Sequence, residues 1–202
     1  MPRTQEQFEL IRSERMDAIL TSALFLFATK GYDSTTLDEI AKDAGCSHGL
    51  LYHYFKDKYT LYDYLVNSVV FPKIVKLINS VNRAQKAKFV LYDCLNALLN
   101  ALKSDDDQYS WAINLLISID LSIVEGTKSL RVSKHANKKV FTWISSTIER
   151  GKLEGDFSME KNTREVTGAI LCFIKGLAYA RVRLGSKKFI CPKINIVMDM
   201  VL

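Results

Sequence analysis

The chain has 202 residues with 28 Lys+Arg against 22 Asp+Glu, a formal net charge of +6, long enough for one large domain or a small one joined to a larger. At 48% hydrophobic and 25% charged, with 9 Gly and 3 Pro, it is excluded from the collagen-like, disordered and turn-rich all-β classes. A basic balance invites a nucleic-acid reading, yet residues 1–60 hold 7 basic and 9 acidic side chains, and the excess of 21 basic over 13 acidic lies beyond them.

In chain order, the polar start MPRTQEQFELIRSER has no apolar signal-peptide core. Ile19, Ala23, Leu24, Phe27 and Ala28 then recur at helical spacing, with Gly31 as a C-terminal cap. TTLDEIAKDAG, CSHGLLYHYF and DKYTLYDYLVNSVV follow as three short helical segments separated by tight breaks. Pro72 is expected to kink or end the helix that begins near Asp57, because it supplies no N–H and crowds the preceding turn. Longer helices are expected near 85–103, 108–123, 133–153, 161–184 and 192–202. No alternating strand is legible, so the expected fold is all-α. It pairs an N-terminal three-helix domain, residues 1–56, with a larger helical domain, residues 57–202.

Compartment follows from exclusions. Cys46, Cys94, Cys172 and Cys191 form no CxxC pair and have no metal-spaced histidine, so neither a zinc site nor a secreted disulfide framework is expected. The most apolar stretch, Tyr109 to Val124, contains Asn114, serines and Asp120 and falls short of the roughly 20 apolar residues of a membrane span. A cytoplasmic protein without cofactor, metal or membrane association is the expectation.

The sharpest signal lies between Thr36 and Lys58. Thr36-Leu37-Asp38-Glu39 has capping-box spacing, with the Thr36 hydroxyl accepting the Glu39 N–H and the Glu39 carboxylate returning to the Thr36 N–H. Ile40 and Ala41 face inward, Ala44 permits close helix approach, and Gly45 supplies the left-handed residue that ends the helix. Ser47 caps a second helix whose buried face is Leu51 and Phe55. This is helix-turn-helix grammar. His48, Gly49, Leu50, Tyr52 and His53 are left outward, and no acid lies between Gly45 and Lys56. Gly49 allows close approach to a groove, His48 and Leu50 suit base edges or a thymine methyl, and Tyr52 and His53 suit phosphates. Lys58 adds charge and backbone donors at the next helix start.

The pattern Gly31-Tyr32, Thr36, Ile40-Ala41, Ala44-Gly45-Cys46-Ser47, Gly49, Leu51-Tyr52, Tyr54-Phe55, Lys58 and Leu61 resembles the DNA-binding signature of the TetR family of transcriptional regulators. The detailed motif covers about Ile19 to Leu65, and the remainder matches only in length and helical character. Cys46 stands where the family commonly has Val, and Tyr54 where His or Tyr is usual. The resemblance implies a homodimeric repressor, its two reading helices entering successive major grooves of a palindromic double-stranded operator. It also implies a larger domain whose small-molecule effector weakens DNA binding. The expected DNA-contacting set is Thr36, Ser47, His48, Gly49, Leu50, Tyr52, His53, Tyr54 and Lys58. Arg3, Arg12 and Arg15 are expected to reach neighbouring phosphates from the N-terminal arm.

Small and large residues mix along Val166–Leu184, and the chain stops while still apolar. Both features suit helix packing against a second copy. Val166, Ala169, Ile170, Phe173, Leu177, Val197 and Val201 are the expected dimer contacts, with Pro192 as a first helical residue. Phe71, Tyr92, Trp111, Phe141 and Trp143 are candidates for an effector cavity, although aromatics at this spacing also build plain core. Asp120 sits in an apolar stripe, where an unpaired carboxylate is costly. It therefore meets either a ligand donor or an internal Lys or Arg, or caps a helix break. Two other readings stay open: a DNA-binding regulator or architectural protein without an effector, and a helical enzyme using His48, His53 or His135. The enzyme reading has no nucleophile elbow, phosphate loop, HExxH or paired-carboxylate motif behind it.

Overall fold

A computed structural model of the chain describes residues 5–121 and 128–202, with side chains described except at 77, 116–121 and 128–137. The described elements are helical: α1 (Gln5–Lys30), α2 (Leu37–Asp43), α3 (His48–Tyr54), α4 (Lys58–Leu65), a π-helical turn (Val66–Val70), α5 (Phe71–Asn79), α6 (Ala87–Lys103), α7 (Gln108–Leu121), α8 (Lys128–Leu153), α9 (Thr163–Leu184) and α10 (Ile194–Met198). No strand occurs among them, and no described helix is long and apolar enough to cross a membrane.

The N-terminal half of α1 lies largely in solvent, while its C-terminal half buries Ile19, Leu20, Ala23, Leu24, Leu26, Phe27 and Ala28. The helix-start signals act as local chemistry requires. Thr36 Oγ1 accepts the Glu39 N–H at 3.2 Å and Glu39 Oε2 accepts the Thr36 N–H at 2.9 Å. Ser47 Oγ accepts the Leu50 N–H at 3.2 Å, and Asp57 Oδ1 accepts the Thr60 N–H at 2.7 Å. At the end of α2, Gly45 takes φ +63°. The Cys46 N–H bonds the Ala41 carbonyl at 2.9 Å and the Gly45 N–H bonds that of Lys42 at 3.2 Å, the paired bonds of a Schellman motif.

Pro72 does not end its helix. The chain passes from α4 through one wide turn, with the Phe71 N–H donating to the Val66 carbonyl, and runs on as α5 with proline in its first turn. An i→i+5 bond absorbs the extra residue and moves the break in the ladder to the place where proline has no N–H to offer. The C-terminal helix is also shorter than expected. Ile194–Met198 is capped by Lys193, so Pro192 precedes the helix. The chain then closes in tight turns, with the Met200 and Val201 N–H groups bonding Val197 and Met198. α10 packs on α6, burying Val197, Met198 and Val201.

α7 is central to the larger unit, packing on α1, α8 and α9, while α6 packs on α8 and α10. Among the described residues, one charged side chain is buried between these helices. Arg181 of α9 is 2% exposed, and its Nε donates to the Leu102 carbonyl and its Nη2 to the Ser104 carbonyl, both at 3.0 Å. Nη2 also lies 2.5 Å from Asp107 Oδ1. The guanidinium thus takes up carbonyls at the C-terminal end of α6, where a cation is favoured by the helix dipole, and ties that end to the start of α7.

Two outcomes follow from these contacts. Arg181→Ala strands Asp107 and the α6 carbonyls, and is expected to cost about 3 kcal/mol in urea unfolding; Arg181→Met, which refills the volume, is expected to cost less. Lys30, at 2.8 Å, and then the Thr36 N–H hold the Glu39 carboxyl down at about 2. Stability from this depressed group is complete above the unfolded value of about 4.3 and is lost as pH falls through about 2. Glu39→Gln is expected to flatten that part of the acid-unfolding curve.

Candidate nucleic-acid interface and effector cavity

α3 is anchored by Leu51, fully buried, and by Phe55, 3% exposed, in the core that also holds Ile40 and Ala41 of α2 and Ile19 of α1. The anchoring leaves His48, Gly49, Tyr52 and His53 exposed, with Leu50 and Tyr54 half-buried. A Cβ built on Gly49 meets nothing, so glycine here leaves the face low rather than relieving a clash. The His48 and Tyr52 rings lie 4.4 Å apart, one turn from each other, and His53 meets Tyr54 edge-on at 5.7 Å. Thr36 and Ser47 are exposed caps at the two helix starts.

Two charged side chains, Asp38 and Lys58, lie otherwise than the sequence suggests. Asp38 of α2 reaches His48 Nε2 at 2.8 Å, so an acid does stand beside α3. The ten-residue separation gave no sign of it, because only the turn geometry brings the two helix starts together. Lys58 does not point outward. Its Nζ donates to the carbonyls of Tyr32 at 2.9 Å, Asp33 at 3.3 Å and Thr35 at 2.9 Å, and lies 4.4 Å from the Tyr32 ring centre. Its ammonium fastens the α1–α2 loop, so its charge is spent within the protein. Arg12 lies 6.0 Å over the Tyr54 ring and Arg15 borders a shallow depression with Gly45 and Cys46. Both flank α3; Arg3 lies outside the described residues.

The larger unit holds an apolar cavity of about 70 Å³. Its walls are Ile74 and Ile78 of α5, Cys94, Leu95 and Leu98 of α6, Ile113 of α7, Val140, Trp143 and Ile144 of α8, and Ile170, Leu171, Ile174 and Lys175 of α9. Burial pushes the Cys94 thiol up to about 12, so it faces the cavity as a neutral group. Of the aromatic candidates, Trp143 lines this space and the others lie elsewhere. Trp111 packs on Phe25 of α1 at 5.1 Å, Phe71 sits beside Lys139, and Tyr92 is 37% exposed. Phe141 borders a surface groove with Met159 and Arg164. The side chain of Asp120 lies outside the described residues. The walls are chiefly aliphatic residues at ordinary core spacing, which carry no signal that separates cavity from filled core.

The expected dimer contacts divide. Ile170 and Val197 are fully buried and Val201 is 2% exposed. Ile170 faces the cavity and the two valines face the protomer interior, so none of the three is open to a partner. Ala169 is exposed, and Val166, Phe173 and Leu177 are half-buried. The outward row of α9 is Ala169, Cys172, Gly176 and Tyr179, spaced alternately three and four residues apart.

Residues 19–65 match the family described as bacterial regulatory proteins, tetR family. Over 47 residues the chain is 45% identical to the biofilm operon icaADBC HTH-type negative transcriptional regulator IcaR of Staphylococcus aureus strain Newman, covering 23% of this chain and 25% of that protein. The match thus spans about a quarter of the length of the curated relatives. Among solved structures, the MbdR regulator from Azoarcus sp. CIB superposes with a TM-score of 0.73 at 21% identity, over 93% of this chain and 97% of that one. FadR from Bacillus subtilis, in complex with stearoyl-CoA, gives 0.61 at 20% identity over 91% and 96%. At these identities the likeness shows the fold, and it extends that fold beyond the N-terminal match to nearly the whole chain. The segment at residues 19–65 is thus similar to the N-terminal unit of the tetR family of bacterial regulatory proteins, and the rest of the chain shares the fold of these solved regulators.

Proposed function

We propose that the protein is a homodimeric repressor that reads a palindromic operator through α3 and releases it when a small molecule occupies the cavity. Residues 1–56 form the reading domain and residues 57–202 the effector and dimerisation domain. The observation that carries the proposal is α3 itself: capped at its start, held by Leu51 and Phe55, with its outward face made of His48, Gly49, Tyr52 and His53. A short helix with a low glycine and ring-bearing donors suits the major groove. Repression is supported by a relative described as a negative transcriptional regulator. Control by a small molecule is supported by a neighbour solved with stearoyl-CoA and by the apolar cavity. The same cavity favours a second reading: at about 70 Å³ it is far below the roughly 300 Å³ of small ligand pockets, as in a regulator with no effector. For the effector reading, an occupant has to spread the walls.

Selection from random DNA is the first test. A retained palindrome with half-sites about one helical turn apart, and an affinity falling steeply with salt, is the expected result; a slope of log affinity against log salt near zero would exclude phosphate contact. Screening compounds for release of that DNA then separates the two readings. Tyr52→Ala and His53→Ala are each expected to weaken operator binding about fivefold, the worth of one hydrogen bond near 1 kcal/mol, with unchanged circular dichroism. Asp38→Asn is expected to strengthen it, because a negative charge leaves the phosphate-facing side.

Dimerisation is assigned to the outward row of α9. A Cβ at Gly176 meets nothing within the protomer, so Gly176→Arg is expected to leave the fold intact and yield a monomer in sedimentation at micromolar concentration. A dimer in this variant would move the interface elsewhere.

A further inference from the structure

Beyond the two ends of the proposed switch lies the question of what joins them. The cavity wall and the reading domain meet along one face of α7. Trp111 and Asn114, three residues apart, lie on Phe25 and Ala28 of α1, also three apart. The Trp111 and Phe25 rings are 5.1 Å between centres, and Asn114 Nδ2 donates to the Ala28 carbonyl at 2.6 Å, with Asn114 only 4% exposed. Ile113, the residue between them, is part of the cavity wall. A change in the position of Ile113 is therefore a change in the position of Asn114.

The two contacts respond differently to such a change. Ring packing tolerates a small slide at little cost, whereas a short hydrogen bond between buried groups has a narrow range of distance and angle. Breaking it leaves a buried donor and a buried acceptor to be satisfied again. A shift of α7 thus either carries the last turn of α1 with it or breaks that bond. That turn leads into the α1–α2 loop, whose carbonyls Lys58 holds, and Glu39 of α2 is tied back to Lys30. Movement at Ala28 is delivered to α2, and through the Gly45 turn to α3.

We infer that Asn114 is the positioning residue that couples the cavity wall to the DNA-reading domain. The inference rests on the DNA-binding reading. It does not need an identified effector, because coupling is reciprocal: whatever the state of α7 does to the reading domain, bound DNA does to α7.

The experiment is hydrogen–deuterium exchange on the full chain, with and without an operator selected from random DNA. In the natural protein, operator binding is expected to slow exchange of the amides at 108–115 at least fivefold, although α7 lies outside the helix-turn-helix segment. Asn114→Leu keeps the volume and removes the amide. It is expected to bind the same operator within about threefold while losing the protection at 108–115. Asn114→Ala, which admits water to the Ala28 carbonyl, is the second variant should the leucine be poorly accommodated, and the same loss is expected. Protection of α7 that persists in a folded, operator-binding variant overturns the inference, as does its absence in the natural protein. If the natural protein retains no sequence from the pool, the DNA-binding reading fails first and the coupling falls with it.

Discussion

The C-terminal end of α1 is the point on which the molecule turns. A helix end leaves carbonyls without intrahelical partners, and here they are taken up from several directions. Thr35 Oγ1 donates to the carbonyls of Leu26 and Gly31, the Gly31 N–H reaches Phe27, and Asn114 reaches Ala28. Just beyond, Lys58 gathers Tyr32, Asp33 and Thr35. Its ammonium also stands at the negative end of the α1 dipole, where a cation is stabilised. Satisfying one helix end therefore fixes the α1–α2 loop, the start of α4 and the centre of α7 relative to one another.

That arrangement leaves the helix-turn-helix segment sparing in outward charge. Lys58, at the start of the next helix, is spent on the α1–α2 loop, and Asp38 stands beside His48. The outward face of α3 is accordingly built from rings, a glycine and polar tips, and the basic excess sits in the rest of the chain. Shape and hydrogen bonding, rather than a dense field of cations, are what this face presents.

The larger unit shows how a cavity arises in a helical core. Five helices contribute aliphatic walls, and the space between them is small because close packing is the default for such side chains. Arg181 keeps α9, α6 and the segment leading into α7 in register, while Asn114 holds the centre of α7 to α1. The N-terminal half of this wall helix is thus tied at its start and at its midpoint, with Ile113 beside the second tie.

The sequence by itself determined whatever depends on neighbours a few residues apart: the caps at Thr36 and Ser47, the left-handed Gly45, the buried pair Leu51 and Phe55, and most of the outward set of α3. Those features need only helical periodicity and short-range hydrogen bonding, and they make the helix-turn-helix legible. Among the described residues the helix breaks were legible within a few residues for the same reason, except at Pro72 and Pro192; the break expected around Gly126 lies outside them. There, packing decided whether the chain bent, widened or stopped. Tertiary structure alone decided the partners drawn from far along the chain. Lys58 turns inward onto Tyr32, Asn114 meets Ala28 across 86 residues and Arg181 meets Leu102 across 79. It also set the inward facing of Ile170, Val197 and Val201 and the membership of the cavity wall. Buried polar groups must find donors and acceptors, but which ones they find is settled only when distant helices pack, and no local pattern encodes that choice.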